Sequence, residues 1–204
     1  FTSSLTSLNF LILCAFLLIT AETYSKFIAN NNRSVRTIFG DGAAATLVTA
    51  SDKENKEGLI GPFIYGTDGG GAQNLIVSHG AAKHPGDFSD KLYMNGPEIF
   101  KFTLETIPTC VSDLLNMSGK VMDDVDLFVF HQANRYMLNR LRKSLEIPEE
   151  KFMIHLEESG NTVSATIPIS LKHAMLEKKI KQNSLVMLVG FGVGYSWGTC
   201  LYKN

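Results

Sequence analysis

The chain has 204 residues, 45% hydrophobic and 19% charged, which is enough for a sizeable globular core, and no disordered or low-complexity tract stands out. A formal net charge of -1 excludes a nucleic-acid binder that works through a strong positive field. Cys14, Cys110 and Cys200 are odd in number and far apart without metal-ligand spacing, which fits a reducing compartment, taken as the cytoplasm, and not a disulfide scaffold.

From the N-terminus, residues 8–21 form a mostly apolar stretch. It is shorter than the roughly 20 residues a spanning helix needs. No Lys or Arg precedes Lys26 to supply the charged leader of a signal peptide. The stretch reads as a buried helix end followed by a strand, with a targeting segment as the alternative, and no membrane association is expected. Short apolar runs at 15–20, 43–48, 59–64, 127–130, 152–156, 185–189 and 199–202 read as strands of a covered sheet. Between them, apolar residues at a 3.6 period predict helices: Ile99 to Leu115, Met137 to Leu145 and Ile167 to Met175. Pro108 is expected to bend the first of these.

Residues 66–96, rich in glycine, read as a long functional surface loop and mark a boundary. The expected units are 1–65, a connecting region 66–95, and 96–204. A helix, strand, glycine turn and strand at 1–49 recurs at 163–202, a faint echo of duplication. His79 and His84 lie in the loop without a third ligand and read as solvated, so no metal is expected.

Three segments carry the chemistry. The run 127–130 leads directly into His131-Gln132-Ala133-Asn134, placing a histidine at the carboxyl end of a buried strand, where open α/β sheets bind ligands. By itself His131 also fits a hydrogen-bonded structural histidine. Ser159-Gly160-Asn161-Thr162 follows another strand and precedes a helix; it fits either a turn with an N-cap or a site. Gly190-Phe191-Gly192-Val193-Gly194-Tyr195-Ser196-Trp197-Gly198 fits a tight hairpin, or a turn whose backbone N–H groups approach an oxyanion.

These segments, with Phe39-Gly40-Asp41-Gly42-Ala43 and Asn95-Gly96-Pro97-Glu98-Ile99-Phe100-Lys101 in the same order, resemble the signatures of β-ketoacyl-acyl-carrier-protein synthase III over roughly residues 21–202. The resemblance implies an α/β, thiolase-like layered helix/sheet fold, here a complete C-terminal half plus the end of the N-terminal half, in a homodimer. It implies an acyltransferase that condenses an acyl group from acyl-CoA with malonyl-acyl-carrier protein, in fatty-acid or related lipid or polyketide biosynthesis. Acyl-CoA enters as substrate, and no cofactor is implied.

By the same resemblance His131 and Asn161 donate hydrogen bonds to the malonyl thioester oxygen, and the backbone N–H of Val193, where the family more often has glycine, serves a second oxyanion hole. Arg33 matches a residue stacked on the adenine of CoA, and Gly96, Phe100 and Asn134 match the lining of the pantetheine tunnel. Lys101, Arg135, Arg142 and Lys143 are expected to form a basic patch for the acidic carrier protein.

Phe1 to Leu5 resembles the first turns of the helix that bears the family's nucleophilic cysteine at its N-terminus. That places the cysteine a few residues before Phe1, and the chain by itself is expected to form no acyl-enzyme and so to be inactive in condensation; Cys14, Cys110 and Cys200 all have apolar or structural settings. The join before 15–20 is several residues shorter than the family's. Two other readings stay open: a non-catalytic or truncated partner of an active homologue, and a related thiolase-fold acyltransferase with another acceptor.

Overall fold

The computed structural model describes residues 15–50, 59–80, 84–87 and 89–204. The expected helix at Phe1 and the thiol of Cys14 lie outside the described residues.

Strand β1 (Ala15–Glu22) pairs antiparallel with β2 (Gly42–Thr49), Ala15 opposite Thr49 and Glu22 opposite Gly42. The connection holds a single helical turn, α1 (Arg33–Arg36), started by the Asn32 side chain, which accepts a hydrogen bond from the Val35 N–H. The main sheet contains β3 (Ile60–Thr67), β6 (Leu127–Phe130), β7 (Phe152–Met153), β8 (Leu185–Gly192) and β9 (Ser196–Lys203) in the order β3-β9-β8-β6-β7. β6 is parallel to both β7 and β8, while β9 runs antiparallel to β8 and β3. Strand β3 begins before residue 66 and runs through it to Thr67, and it is an edge strand of this sheet. The loop region carries a small ladder, β4 (Leu75–Ile76) against β5 (Tyr93–Met94).

Alternation along β6 explains how the sheet is covered on both faces. Phe128 and Phe130 enter a core with Ile107, Val111 and Leu114 of α2 (Gly96–Ser118) and Leu138 and Leu141 of α3 (Arg135–Ser144). Leu127 and Val129 point the other way, into a cluster with Met153, Val186 and Ala174 of α4 (Thr166–Leu176). Two of these helices, α2 and α3, begin at an asparagine cap. Asn95 caps α2 at the Glu98 N–H with Pro97 in the first turn, and Gly119, at φ +63°, ends it in the left-handed conformation. Asn134 caps α3, accepting from the Met137 N–H at 2.9 Å. The assigned helix α2 runs through Pro108 without interruption.

Burial departs from the expected pattern at the β1–β2 hairpin. Phe16, Leu17, Leu18, Ile19 and Leu47 are exposed, because among the described residues β1 has β2 as its only strand partner. Apolar runs announce strands, but what covers them depends on the rest of the fold. Among the described residues, no helix is long and apolar enough to cross a membrane.

Candidate active site

The carboxyl ends of β6 and β8, the N-terminal parts of α2, α3 and α4, and the segment 38–39 surround a cavity of about 740 Å³. His131, Asn161, Val193, Gly96, Phe100 and Asn134 all line it. Residues from four distant parts of the sequence thus face one space.

His131 follows β6 directly, and its backbone N–H donates to Val189 on neighbouring β8 at 2.7 Å. Nδ1 lies 2.7 Å from the Thr166 hydroxyl, at the start of α4, and the Phe191 ring meets the imidazole edge-on with centroids 5.2 Å apart. Burial pushes the His131 pKa down to about 4, opposed by a hydrogen bond to the Val163 carbonyl. The ring is therefore neutral at physiological pH. Because the folded pKa lies below the ordinary 6.5, this group favours folding fully above about pH 6.5, and that contribution is lost as pH falls toward 4.

Asn161 is buried, and its orientation is set by backbone on three sides. Its N–H donates to Ile38 at 2.9 Å, its C=O accepts from Gly40 at 3.0 Å, and its Oδ1 accepts from the Val163 N–H at 2.9 Å. With Oδ1 accepting from the Val163 N–H, Nδ2 is the side-chain group left to donate. The Phe39-Gly40 segment forms a parallel bridge with Asn161, so two motifs more than a hundred residues apart are joined here.

Val193 follows the last registered pair of the β8–β9 hairpin, Gly192 with Ser196. The turn is held from outside through Tyr195: Thr67 Oγ1 donates to its carbonyl at 2.9 Å, Asn74 donates to its hydroxyl at 2.6 Å, and its ring stacks on Phe102 at 3.9 Å. The glycine-rich loop region therefore positions the hairpin.

Two residues of the constellation were not singled out in the sequence. Thr166 touches the His131 ring. Gln132, fully buried, donates from Nε2 to the carbonyls of Phe130 at 2.7 Å and Met153 at 3.3 Å, and accepts from the His155 N–H at 2.8 Å. It braces the ends of β6 and β7 beside His131. A buried glutamine within the His131–Asn134 run was the available signal. Gln132→Leu leaves the His155 N–H without its partner, and we expect a loss of about 2–3 kcal/mol in urea unfolding with an unchanged m-value.

Other expectations fall away from the cavity. Arg33 is exposed and lines a separate surface depression with Asn30, Asn31, Arg36 and Thr37. Of the four residues expected to form the basic patch, Arg135 and Arg142 take part in surface ion pairs. Arg135 pairs with Glu157; Arg142 lies 3.6 Å from Glu149 and donates to the Ile147 carbonyl at 3.1 Å. Lys101 and Lys143 are exposed and form no ion pair with a described residue. Burial pushes the thiols of Cys110 and Cys200 up to about 11, the former also through Asp113, so neither is a thiolate near neutral pH.

A strand-end histidine and an amide from the next crossover, set in a sheet covered on both faces, fit the thiolase-like α/β class that the sequence resemblance implies. Comparisons with known proteins make the assignment specific. The model for 3-oxoacyl-[acyl-carrier-protein] synthase III matches residues 13–82, and that for its C-terminal part matches 115–204. β-Ketoacyl-[acyl-carrier-protein] synthase III of Natranaerobius thermophilus is 38% identical over 194 residues, covering 92% of this chain and 59% of the relative. The Porphyra umbilicalis protein of the same name is 35% identical with the same coverage. A crystal structure of a 3-oxoacyl-(acyl-carrier-protein) synthase III superposes with a TM-score of 0.87 at 43% identity, over 93% of this chain and 60% of that one. The enzyme from Pseudomonas aeruginosa gives 0.83 at 30% identity, over 93% and 57%. The chain belongs to the β-ketoacyl-acyl-carrier-protein synthase III family. It spans about three-fifths of the length of these relatives.

Proposed function

We propose that this chain supplies the decarboxylating part of a condensing site, which acts on a malonyl group carried by acyl-carrier protein and joins it to an acyl group delivered by acyl-CoA. The observation that carries this reading is the convergence on one cavity of a neutral imidazole and an amide whose oxygen is already committed. When the bond between the malonyl Cα and its carboxylate breaks, carbon dioxide leaves and the electron pair passes into an enolate. Negative charge then collects on the thioester oxygen. Two fixed neutral donors at that oxygen, His131 Nε2–H and Asn161 Nδ2–H, stabilise it where water is scarce. The enolate carbon attacks the carbonyl carbon of an acyl thioester, the Val193 N–H receives the oxyanion of that step, and collapse of the oxyanion breaks the C–S bond, releasing the thiolate and leaving the β-ketoacyl product.

Gly96, Phe100 and Asn134 line the same cavity and are assigned to the pantetheine arm; Arg33 is assigned to the nucleotide end of CoA. For the carrier protein the docking cations are Lys101, Arg135, Arg142 and Lys143, the two lysines being free of ion pairs with described residues. The remaining parts of this reading are a homodimer, a cytoplasmic setting, and no cofactor beyond the thioester substrates. The test is release of carbon dioxide from malonyl-acyl-carrier protein by the chain, measured against transfer to a simple alcohol. Carbon dioxide release without alcohol transfer supports the proposal, and the reverse overturns it.

The donor role of Nε2 requires that Nδ1 accept, and the Thr166 hydroxyl is the group able to donate to it. That hydroxyl donates to the Val163 carbonyl at 2.9 Å, so it must turn toward Nδ1 for Nε2 to carry the proton. Thr166→Val is expected to lower kcat for decarboxylation about tenfold, roughly 1.4 kcal/mol, with KM held. Thr166→Ser is expected to restore it. Nitrogen NMR of His131 reads the tautomer directly.

A further inference from the structure

On the side of the sheet that carries α4, a second cluster lies outside the lining of the cavity. His155, two residues beyond the end of β7, stacks its ring on that of His173 in α4, with centroids 3.6 Å apart and planes 25° from parallel. Glu158 completes the group: one ligand atom from each of the three side chains lies within 4.8 Å of the others. Both imidazoles are partly buried, and among the described residues none of the three side chains makes a hydrogen bond or ion pair. Two facing imidazoles without hydrogen-bond partners, beside a carboxylate, are a poor arrangement for uncomplexed rings. They are a good one for a cation. The neighbouring positive charge of Lys179 is held by Glu177 at 2.8 Å. The Glu177 carboxyl, kept below its usual range first by Lys179, also feels both imidazoles.

We propose that His155, Glu158 and His173 bind one divalent transition-metal ion of the zinc type. Two imidazole nitrogens and one carboxylate oxygen form a borderline donor set that suits Zn²⁺, Co²⁺ or Ni²⁺; Mg²⁺ and Ca²⁺ prefer oxygen alone. Three protein ligands leave a fourth position to water. The ion would tie the segment between β7 and Asn161 to α4. Glu158 lies just before Gly160 and Asn161, the His155 N–H is held by Gln132, and α4 begins at Thr166, which contacts His131. A metal here therefore clamps the two elements that present both donors, without entering their cavity. The three residues are unrelated to the motifs that carry the family resemblance, so the proposal stands or falls apart from the proposed chemistry.

The probe is Co²⁺, added to chelator-stripped protein and followed by visible absorption, with competing Zn²⁺ and thermal melts in parallel. One Co²⁺ per chain, four-coordinate absorption, displacement by Zn²⁺ and a metal-dependent rise in Tm are expected. His173→Gln or His155→Gln should weaken binding by more than the roughly 10–100-fold that loss of an outer-shell partner costs. Glu158→Gln, at an exposed position, provides the same comparison with the least risk to folding. Each variant is compared at an equal metal-free Tm; if a histidine variant fails to fold, Glu158→Gln decides. His79→Gln with His84→Gln removes the other stacked histidine pair, 4.5 Å apart, and should leave binding unchanged. Absence of stoichiometric binding overturns the proposal. So does binding that survives Glu158→Gln and the His155/His173 changes, or that disappears with His79 and His84.

Discussion

His131→Ala and Asn161→Ala are each expected to reduce carbon dioxide release from malonyl-acyl-carrier protein by about 10²–10³-fold, the equivalent of ~2.7–4 kcal/mol of transition-state stabilisation. The loss should appear in kcat with KM little changed. The two hydrogen bonds tighten only as charge develops on the thioester oxygen, and an interaction stronger in the transition state than in the ground state acts on the rate. On the proposed reading both donors serve one oxygen, so the double variant should lose less than the product of the single effects. Asn161→Asp should be worse than Asn161→Ala, because it sets a carboxylate where an anion must form. The pH profile supplies an independent check. With its pKa at about 4, His131 stays neutral through the physiological range, so no acid limb near 6.5 should arise from it. A rise in KM at constant kcat, or strictly multiplicative losses, would show that the two side chains act separately.

Much of this arrangement was legible because the buried parallel strands are unambiguous in sequence. The four residues of β6 are all buried, and the run ends at the histidine it presents. The glycines after 189 read as a turn, yet Gly190 and Gly192 remain in the ladder opposite Gly198 and Ser196, lengthening β8. β7 is shorter than its apolar run, because the His155 N–H is taken by the Gln132 side chain instead of a strand. Such contacts exist only once distant segments meet, which is also why Thr166 carried no sequence signal of its own. The ion pairs within the basic patch stayed hidden for a related reason. Charge can be counted along a chain, but Arg135 and Arg142 find Glu157 and Glu149 only in the fold. Exposure of β1 and β2 has the same origin, since hydropathy reports a strand's apolar surface and says nothing of its cover.

The second large effect is expected at a residue that never touches substrate. Gly40 packs backbone to backbone against the Asn161 segment: its own N–H donates to the Asn161 carbonyl, and a Cβ at Gly40 would lie 2.0 Å from the Ser159 carbonyl oxygen. The opposing Gly160 is equally constrained, at φ +63° and with its Cβ direction 2.8 Å from the Ile38 carbonyl oxygen. Neither obstacle is the end of a flexible side chain, so Gly40→Ala must push the 159–161 backbone away and turn the Asn161 amide with it. Overpacking of this kind costs about 1–3 kcal/mol. For a chain of this length that corresponds to a Tm drop of roughly 2–4 °C per kcal/mol. Because Nδ2 is aimed by the displaced backbone, kcat for decarboxylation should fall toward the level of Asn161→Ala even where the variant remains folded. Gly69→Ala is the control, since nothing lies within 4 Å of its Cβ direction, and its stability should change by no more than about 0.5 kcal/mol. If Gly40→Ala melts and decarboxylates like the parent chain, the junction between the two motifs does not hold Asn161 in place, and its amide is oriented by the Val163 N–H alone.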